Sequence, residues 1–313
     1  MNDGETFELA GKRIFVTGHR GLVGRALLRR LERENCEVLT VSRASLDLRD
    51  QAAVNAWLQN ERPDAAILAA ARVGGITANQ QQPADFLLDN CVMTTNLVEA
   101  ARNSRVAKLL FIGSSAAYPR ETHQPMRETA LLTGPLDPAH EGYALAKLIG
   151  IKLCAAMRQQ YGVNFISTLP TNLYGPDDRF ESDTAHVIPA LIHKVHTAMT
   201  RGHALQIWGT GNARREFLHV DDFADACIHL LRHYSDPMPI NVGTGVDVSI
   251  KELTEMLCAI AGFDGDIIHD LSKPDGAPQK LLDVSRLSGL GWRARTPLHL
   301  GLAETYRAYR ASI

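Results

Sequence analysis

The sequence predicts an α/β protein with a doubly wound parallel sheet and a smaller C-terminal lobe. Two observations predict this fold class. Short apolar runs of strand length alternate with helical segments up to Pro170, and a glycine-rich turn follows the first apolar run. Strands that alternate with helices in this way imply right-handed crossovers, which place helices on both faces of a parallel sheet. After Pro170 the alternation breaks, and this break predicts the smaller lobe.

The individual elements follow from the periodicity of apolar residues. The first helix, for example, has Leu22, Leu27 and Leu31 on one face. Apolar runs predict strands at 12–17, 37–41, 64–69, 107–112, 163–169 and 239–242. Helical spacing predicts helices at 22–35, 50–60, 83–103, 139–161, 221–233 and 249–261, and a short terminal helix. Clusters of Asn, Asp, Gly and Pro predict loops in 171–187, 201–216 and 271–280.

The composition excludes several functional classes. A chain of 313 residues with a formal charge of −2 lacks the strongly basic surface of a nucleic-acid-binding protein. No apolar run approaches the ~20 residues that span a bilayer, and the acidic start is unlike a signal peptide. The five cysteines are scattered without a C-x-x-C pair, which predicts reduced thiols and no metal site. We therefore expect a cytoplasmic protein that binds neither nucleic acid nor membrane.

Gly18, Gly21 and Gly24 form a G-x-x-G-x-x-G run directly after the first strand. The first glycine allows a tight turn, the second lets the backbone approach a pyrophosphate, and the third lets the helix pack closely on the strand. The helix that begins with Leu22 and Val23 would then direct its positive N-terminal end at the phosphates. This arrangement predicts a Rossmann domain that binds a dinucleotide.

Residues at the end of the second strand favour NADP(H). NAD enzymes place a carboxylate there to bind the ribose 2′-hydroxyl, whereas this chain has Ser42 and Arg43. Arg20 lies within the glycine turn, and two guanidinium groups favour an added 2′-phosphate. The alternative is that either arginine is a solvated surface residue. Asp47 is predicted to accept a hydrogen bond from the adenine amino group, with the same alternative.

A serine, a tyrosine and a lysine follow at a spacing that serves hydride transfer. Ser114 comes just after the fourth predicted strand, at the edge of the sheet where open α/β folds bind ligands. Tyr143 and Lys147 lie one helical turn apart, so that the ammonium group can lower the pKa of the phenol and hold the nicotinamide ribose. With the glycine turn, these residues predict a nicotinamide-dependent oxidoreductase that acts on a C=O/CHOH pair.

Longer runs extend the pattern over nearly the whole chain, from residue 12 to about residue 300. On these runs the chain resembles the extended short-chain dehydrogenases and, within them, the GDP-L-fucose synthase family. The runs are G-H-R-G-L-V-G, A-A-R-V-G-G-I, Q-P-A-D-F, G-S-S-x-x-Y-P, Q-P-M-R-E, Y-A-L-A-K, P-T-N-L-Y-G-P, H-V-I-P-A-L, R-E-F-L-H-V-D-D, I-N-V-G-T-G-V-D and S-K-P-D-G-x-P-x-K-L-L-D-V. The resemblance implies that NADPH reduces C4 of a GDP-4-keto-6-deoxy-mannose after C3 and C5 are epimerised. It also implies a homodimer built on the helices near 83–103 and 139–161.

The resemblance assigns roles to individual residues. Ser114, Tyr143 and Lys147 match the reductive set, and His186 matches the histidine that acts as an acid during epimerisation. The cofactor site is then Gly18, Arg20, Gly21, Leu22, Val23, Gly24, Arg43, Asp47, Ala70, Tyr143, Lys147, Pro170, Asn172 and Leu173. The substrate site is Asn172, His186, Val187, Lys194, Trp208, Arg215 and Lys280.

Three of these residues form the predicted GDP end of the site. Arg215 and Lys280 suit a diphosphate on charge alone, whereas Trp208 without the resemblance could equally be a core residue. Two mild departures occur here, because Lys194 and Gln279 stand where the family usually carries arginine. The expected partner is therefore a GDP-linked 4-keto-6-deoxy sugar.

A stronger departure concerns catalysis. The family's cysteine, two residues after the strand-end serine, is replaced by Ala116, and a methyl group cannot abstract a proton. Loss of a positioned base typically costs ~10²–10⁴-fold in rate. The leading hypothesis is therefore a C4 reductase that does not epimerise its substrate. The alternative is a full epimerase–reductase of the GDP-L-fucose synthase kind, in which another base or water substitutes.

Two other classes fit the sequence less well. A sugar dehydratase needs an Asp-Glu pair where this chain has Ser115, Ala116 and Ala117. A non-catalytic NADP(H)-sensing subunit would not need to keep both the tyrosine and the lysine. The domain division expected for the enzyme assigns 1–172 and 216–243 to the NADP-binding domain, and 173–215 and 244–313 to the nucleotide-sugar lobe.

Overall fold

The computed structural model describes residues 6–180, 185–273 and 275–313. The strands in these residues are β1 (Arg13–Thr17), β2 (Glu37–Leu39), β3 (Ala65–Leu68), β4 (Lys108–Ile112), β5 (Asn164–Pro170), β6 (Asn172–Tyr174), β7 (Leu205–Trp208), β8 (Arg214–His219), β9 (Ile240–Val242), β10 (Asp247–Ser249), β11 (Ile267–Asp270) and β12 (Gln279–Lys280). The helices are α1 (Leu22–Leu31), α2 (Gln51–Glu61), α3 (Ile76–Gln81), α4 (Pro83–Asn103), α5 (Glu141–Tyr161), α6 (Val187–Arg201), α7 (Val220–His233), α8 (Ile250–Ala261), α9 (Ser285–Gly289) and α10 (Leu298–Ser312). Short 3₁₀ turns occur at Ser115–Ala117, Glu128–Ala130 and Pro138–His140.

A six-stranded parallel sheet forms the centre of the molecule, in the order β2-β1-β3-β4-β5-β9. Helices α1 and α7 pack together on one face, and α2, α4 and α5 pack on the other. Successive side chains of a strand point to opposite faces of the sheet. Ile14 and Val16 therefore pack in the core beneath α1 and α7, while Phe15 packs in the core on the other face. The predicted doubly wound α/β class is confirmed.

A smaller lobe follows the sheet. Its central strand, β8, pairs with β6, β10 and β12, while β7 and β11 form a separate pair. A third core joins residues of α6, α8 and α10, among them Ile192, Leu253 and Leu302. The exact boundary between domain and lobe stays a prediction. No helix in the described ranges is long and apolar enough to cross a membrane.

The loop predictions for the lobe were partly wrong. The segment 201–216 contains β7 and the start of β8, and 171–187 contains β6, although its residues 181–184 lie outside the described part. Helix α6, which was not predicted, buries Ile188, Leu191, Ile192 and Val195 at helical spacing. Glycine and asparagine around Trp208 hid the strand pattern, because a four-residue strand shows only two alternations.

Candidate active site

The glycine turn lies directly against the end of β3. Gly18 has φ +67°, and a Cβ placed on it would lie 2.9 Å from the Cα of Ala70. Thr17 supports this approach, since its hydroxyl accepts a hydrogen bond from the N–H of Ala70 at 3.0 Å. A Cβ on Gly24 would lie 2.1 Å from the carbonyl oxygen of Gly18. The turn therefore forms a cradle that only glycine permits at these positions, and it fits a pyrophosphate.

The N-terminus of α1 completes the cradle. Gly21 is the N-cap, and the first turn of the helix carries no acidic side chain, whereas Arg29 and Arg30 lie in the last turn. The first backbone N–H groups of a helix have no intrahelical partner, so those of Leu22 and Val23 are available to an anion. Their side chains pack against the core of the sheet and fix the start of the helix. This end of the site can hold two phosphates.

The end that was predicted to bind adenine is strongly basic. Arg20 and Arg43 are exposed, and the positive charge of Arg43 acts on Asp47. The carboxylate of Asp47, however, pairs with the guanidinium of Arg49 at 2.7 Å, and this contact lowers the pKa of Asp47 to about 2. If Asp47 accepts a hydrogen bond from the adenine amino group, as predicted, its carboxylate must bind Arg49 at the same time. Sequence reasoning missed Arg49, which was visible in L-D-L-R-D and which also pairs with Asp89 at 3.2 Å.

Arg43→Ala is expected to raise KM for NADPH far more than KM for NADH, because only the phosphorylated ribose needs the guanidinium. Steady-state kinetics with both cofactors measures the ratio. Arg33→Ala, which removes an exposed arginine just beyond the C-terminal end of α1, is the matched control and should change neither value. Equal losses for the two cofactors would contradict the 2′-phosphate assignment.

Ser114, Tyr143 and Lys147 meet at the carboxyl end of β4. Ser114 caps the 3₁₀ turn, where its hydroxyl accepts a hydrogen bond from the N–H of Ala116 at 3.1 Å, and it also bonds to the hydroxyl of Tyr143. Lys147 is buried, and its ammonium donates to the carbonyl of Ile112 at 2.7 Å. The same nitrogen lies 5.7 Å from the centre of the Tyr143 ring. The structure therefore brings the three predicted side chains together.

Two glycines allow this close arrangement, and sequence reasoning did not single them out. A Cβ on Gly150 of α5 would lie 2.2 Å from Cζ of Phe111, so only glycine lets the helix approach β4. A Cβ on Gly113 would lie 2.4 Å from the carbonyl oxygen of Thr168 on β5. The first contact fixes the distance between β4 and α5, which carries Tyr143, and the second fixes the distance between β5 and the segment that leads to Ser114. A glycine in the middle of a helix is destabilising, so Gly150 within a predicted helix could have indicated a close packing contact.

The pKa values of Tyr143 and Lys147 differ from the expectation that the lysine lowers the pKa of the phenol. Burial raises the pKa of Tyr143 to about 12, opposed by the hydrogen bond from Ser114. Burial lowers the pKa of Lys147 to about 8. The predicted lowering of the phenol pKa by Lys147 is not seen, because the ammonium is directed at the Ile112 carbonyl. The phenol is therefore held in its protonated form at neutral pH, which is the form that can donate a proton.

Lys147→Met is expected to lower kcat and weaken NADPH binding, because the ammonium is the only charge among Ser114, Tyr143 and Lys147.

The pH dependence of the free energy of unfolding gives a second test of the buried Lys147. Since the folded pKa of about 8 lies below the ordinary value of 10.5, the unfolded chain binds more protons between these values. The free energy of unfolding of the wild type should therefore rise relative to the variant from about pH 8 to 10.5. Denaturant titrations across this range would contradict the burial of a charged lysine if the two curves stay parallel.

His186 and Val187 lie at the start of α6. Both are exposed, and among the described residues neither is joined to Ser114 or Tyr143 by a hydrogen bond or ion pair. Asp178, which sequence reasoning missed, interacts electrostatically with His186. One oxygen of Asp178, Oδ2, is buried and has no hydrogen-bond partner in the described part of the chain. Burial raises the pKa of this carboxyl, opposed by the N–H of Arg179 and by the charge of His186.

The predicted diphosphate ligands are neighbours in the smaller lobe. Arg215 on β8 stands directly opposite Lys280 on β12. Burial lowers the pKa of both groups, and the carboxylate of Asp137 opposes this in both cases. Asp137 lies 3.8 Å from Lys280 and also accepts from the N–H of Ala139. The carboxylate of Asp275 also acts on Arg215, so two cations and two carboxylates lie together here. The guanidinium and the ammonium are the groups that can donate charge-assisted hydrogen bonds to a diphosphate.

Trp208 is not a core residue. More than half of its surface (55%) is exposed, at the end of β7. The ammonium groups of Lys194 and Lys273 lie 4.8 and 5.6 Å from its ring centre. An exposed indole offers a stacking surface for a base, and the lysines add positive charge around it. Lys273 and Asp137 were not singled out from the sequence, because they lie in loops without periodicity.

Pro170, Asn172 and Leu173 connect the two halves of the site. Pro170 ends β5, and Asn172 donates from its side-chain amide to the carbonyl of Glu216 at 2.9 Å. Leu173 packs against the core of the main sheet. The exposed face of Asn172 thus lies between the carboxyl end of the sheet and the lobe. The predicted nicotinamide and sugar contacts of these residues remain predictions.

The fold and the Ser-Tyr-Lys site define an oxidoreductase of the short-chain dehydrogenase/reductase class. Residues 14–243 match the model of the NAD dependent epimerase/dehydratase family. The chain is 52% identical over 306 residues to a GDP-L-fucose synthase of Sinorhizobium fredii, covering 97% of this chain and 98% of that protein. The chain therefore belongs to this family and, within it, to the GDP-L-fucose synthases and their close relatives.

Solved structures agree with this assignment. A GDP-6-OMe-4-keto-L-xylo-heptose reductase from Campylobacter jejuni superposes with a TM-score of 0.90 at 31% identity, covering 98% of this chain and all of that one. A GDP-mannoheptose C4 reductase from the same organism, solved with NADP bound, has a TM-score of 0.87 at 33% identity over 96% and 98% of the two chains. The chain is thus similar both to a GDP-L-fucose synthase and to reductases of GDP-linked heptoses.

Proposed function

We propose that the protein uses NADPH to reduce the C4 keto group of a GDP-4-keto-6-deoxy sugar, without epimerising C3 or C5. The observation that carries this proposal is the pairing of a protonated Tyr143 with Ser114, beside an alanine at position 116. Tyr143 can donate a proton at the strand end, whereas Ala116 offers no group that could remove one.

The reduction requires one hydride and one proton. When bound, NADPH supplies the hydride to C4. Ser114 donates a hydrogen bond to the C4 oxygen and polarises the carbonyl, while Tyr143 transfers its phenolic proton to that oxygen as the hydride arrives. Lys147, moved from the Ile112 carbonyl to the phenolate, compensates the negative charge left on Tyr143. The products are a hydroxyl group at C4 and the oxidised cofactor.

The two ends of the site support the cofactor and the substrate. Arg20, Arg43 and the cradle around Gly18 fit a phosphorylated dinucleotide, and a related reductase was solved with NADP. Arg215 and Lys280 fit the diphosphate of a GDP-sugar. Together these features support a nucleotide-linked sugar over a free one.

A homodimer is also part of the proposal. Helices α4 and α5 pack side by side on one face of the sheet. Leu88 on α4, and Leu145 and Ile149 on α5, are exposed by 63%, 36% and 42%. An exposed apolar strip on two adjacent helices is suited to a symmetric four-helix contact between two copies. Analytical ultracentrifugation of the purified chain measures the oligomeric state.

A second candidate function is the full epimerase–reductase. It is favoured by the likeness to GDP-L-fucose synthases and by Asp178, whose unpaired, buried Oδ2 interacts with the charge of His186. A carboxylate with a raised pKa can act as a base near neutral pH. In this version Asp178 would take the place of the missing cysteine, with His186 as the acid.

The proposal is tested with GDP-4-keto-6-deoxy-mannose and NADPH. Absorbance at the reduced-nicotinamide band should fall in proportion to substrate, and proton NMR of the product should show reduction at C4 alone. Binding of NADPH without its consumption would contradict an enzyme and favour the sensing subunit. A product inverted at C3 and C5 would favour the epimerase–reductase.

A further inference from the structure

Glu216 on β8 is a buried carboxylate with an unusual set of partners. Its exposed fraction is 0%, although it lies next to Arg215 of the proposed diphosphate site. Oε1 accepts hydrogen bonds from the N–H groups of Thr244 and Gly245, each at 2.7 Å. Oε2 accepts from the N–H of Leu282 at 2.9 Å. One side chain thus holds two loops that are far apart in sequence.

The backbone of the same residue holds a third segment. Its carbonyl oxygen accepts from the amide of Asn172 at 2.9 Å and from the hydroxyl of Thr171 at 3.1 Å. Three segments therefore converge on Glu216: β6, the loop after β9, and the chain just after β12. Two of them carry Asn172 and Lys280, and Glu216 itself follows Arg215.

The space around the carboxylate is closed. A Cβ on Gly243 would lie 2.2 Å from Oε1, so the loop after β9 approaches the carboxylate at a distance that only glycine allows. A buried carboxylate needs several N–H donors to offset its loss of water, and here three backbone groups supply them. Burying a charge costs free energy even when it is hydrogen-bonded. Its presence here indicates that the relative position of the two loops is important for the cleft.

We infer that Glu216 is a positioning residue for the nucleotide-sugar cleft, fixing Arg215, Lys280 and Asn172 relative to one another. The inference rests on the proposed function, because it assigns these three residues to one ligand. Glu216 does not touch the ligand. It acts through the register of β8 with β12 and β6, so that both cations meet the same diphosphate.

Glu216→Gln of the full chain tests this inference. The amide oxygen can serve the two N–H donors of the β9 loop, but the NH₂ group then faces the N–H of Leu282, donor against donor. The segment that carries Lys280 should shift. We expect Kd for GDP, and KM for the GDP-sugar, to rise roughly tenfold or more, while Kd for NADPH stays unchanged. Calorimetric titrations with GDP and with NADPH measure both values.

Asp222→Asn is the matched control. Asp222 is also a buried carboxylate that accepts from two backbone N–H groups, those of Arg295 and Thr296 at 3.0 and 2.8 Å, but it lies on α7 and outside the cleft. Both N–H groups donate to Oδ2, so the amide oxygen of Asn can keep both bonds while the buried charge is lost. Kd for GDP should therefore stay unchanged, whatever the effect on Tm. This comparison separates positioning from a general loss of stability.

Gly243→Ala provides a second perturbation if Glu216→Gln does not fold. It keeps the charge but displaces the carboxylate, and the same rise in Kd for GDP alone is expected. Unchanged GDP binding in either variant, or equal loss of GDP and NADPH binding, would overturn the inference. Failure of the wild type to bind GDP would instead overturn the proposed substrate class, and it would be seen before any variant is made.

Discussion

Tyr143→Phe is expected to bind NADPH normally and to lower kcat by about two or more decades. The substitution removes the proton donor but keeps the ring, which is partly buried against its surroundings. Burial raises the pKa of the phenol to about 12, so Tyr143 carries its proton at neutral pH and can supply it to the C4 oxygen. Stopped-flow measurement of single-turnover NADPH oxidation isolates the chemical step.

Tyr234→Phe is the control for this variant. The hydroxyl of Tyr234 donates to the carbonyl of Met238 and accepts from Arg286, in a buried position away from the site. Its loss should lower Tm and leave kcat unchanged. If Tyr143→Phe turns over at nearly the wild-type rate, another group protonates the C4 oxygen, and the assignment of Tyr143 as proton donor is wrong.

The main sheet could be predicted well from the sequence because its strands, apart from the edge strand β2, are buried on both faces. Runs such as Lys108–Ile112 are continuously buried, and they alternate with long helices, so their length and order are clear. The smaller lobe could not be predicted in the same way. Its strands are short, β6 and β10 span three residues each, and their pairing with β8 depends on contacts between distant parts of the chain.

In the candidate site, too, residues at a fixed local spacing could be predicted, whereas residues defined by the folded environment could not. Gly18 and Tyr143 were found because a strand, a turn and a helix place them at a fixed local spacing. Glu216 was missed, since its hydrogen-bond partners lie far away in sequence, and Asp178 was missed because its burial is not visible in a loop without periodicity. The pKa of Lys147 belongs to this second group, because a sequence does not show that its ammonium contacts the Ile112 carbonyl.

The wild-type enzyme is expected to make, in D₂O, a product without solvent deuterium at C3 and C5. Epimerisation at either carbon removes its proton and returns one from solvent, whereas the reduction brings hydrogen to C4 from NADPH. Ala116 cannot remove the proton, and a lost base costs ~10²–10⁴-fold. Proton NMR and mass spectrometry of the purified product measure the incorporation.

Ala116→Cys should restore deuterium at C3 and C5, because a thiol with a pKa of about 8.5 is partly ionised near neutral pH, and its thiolate can remove the proton there. Position 116 is partly buried beside Ser114, so the side chain would face the same strand end. Ala116→Ser has nearly the same size but a much weaker acid group, and it should leave the product free of deuterium. Deuterium in the wild-type product would refute the reductase-only function. Asp178→Asn then decides the base: loss of the exchange would assign Asp178, since its amide keeps the size of the carboxylate and removes the basic oxygen.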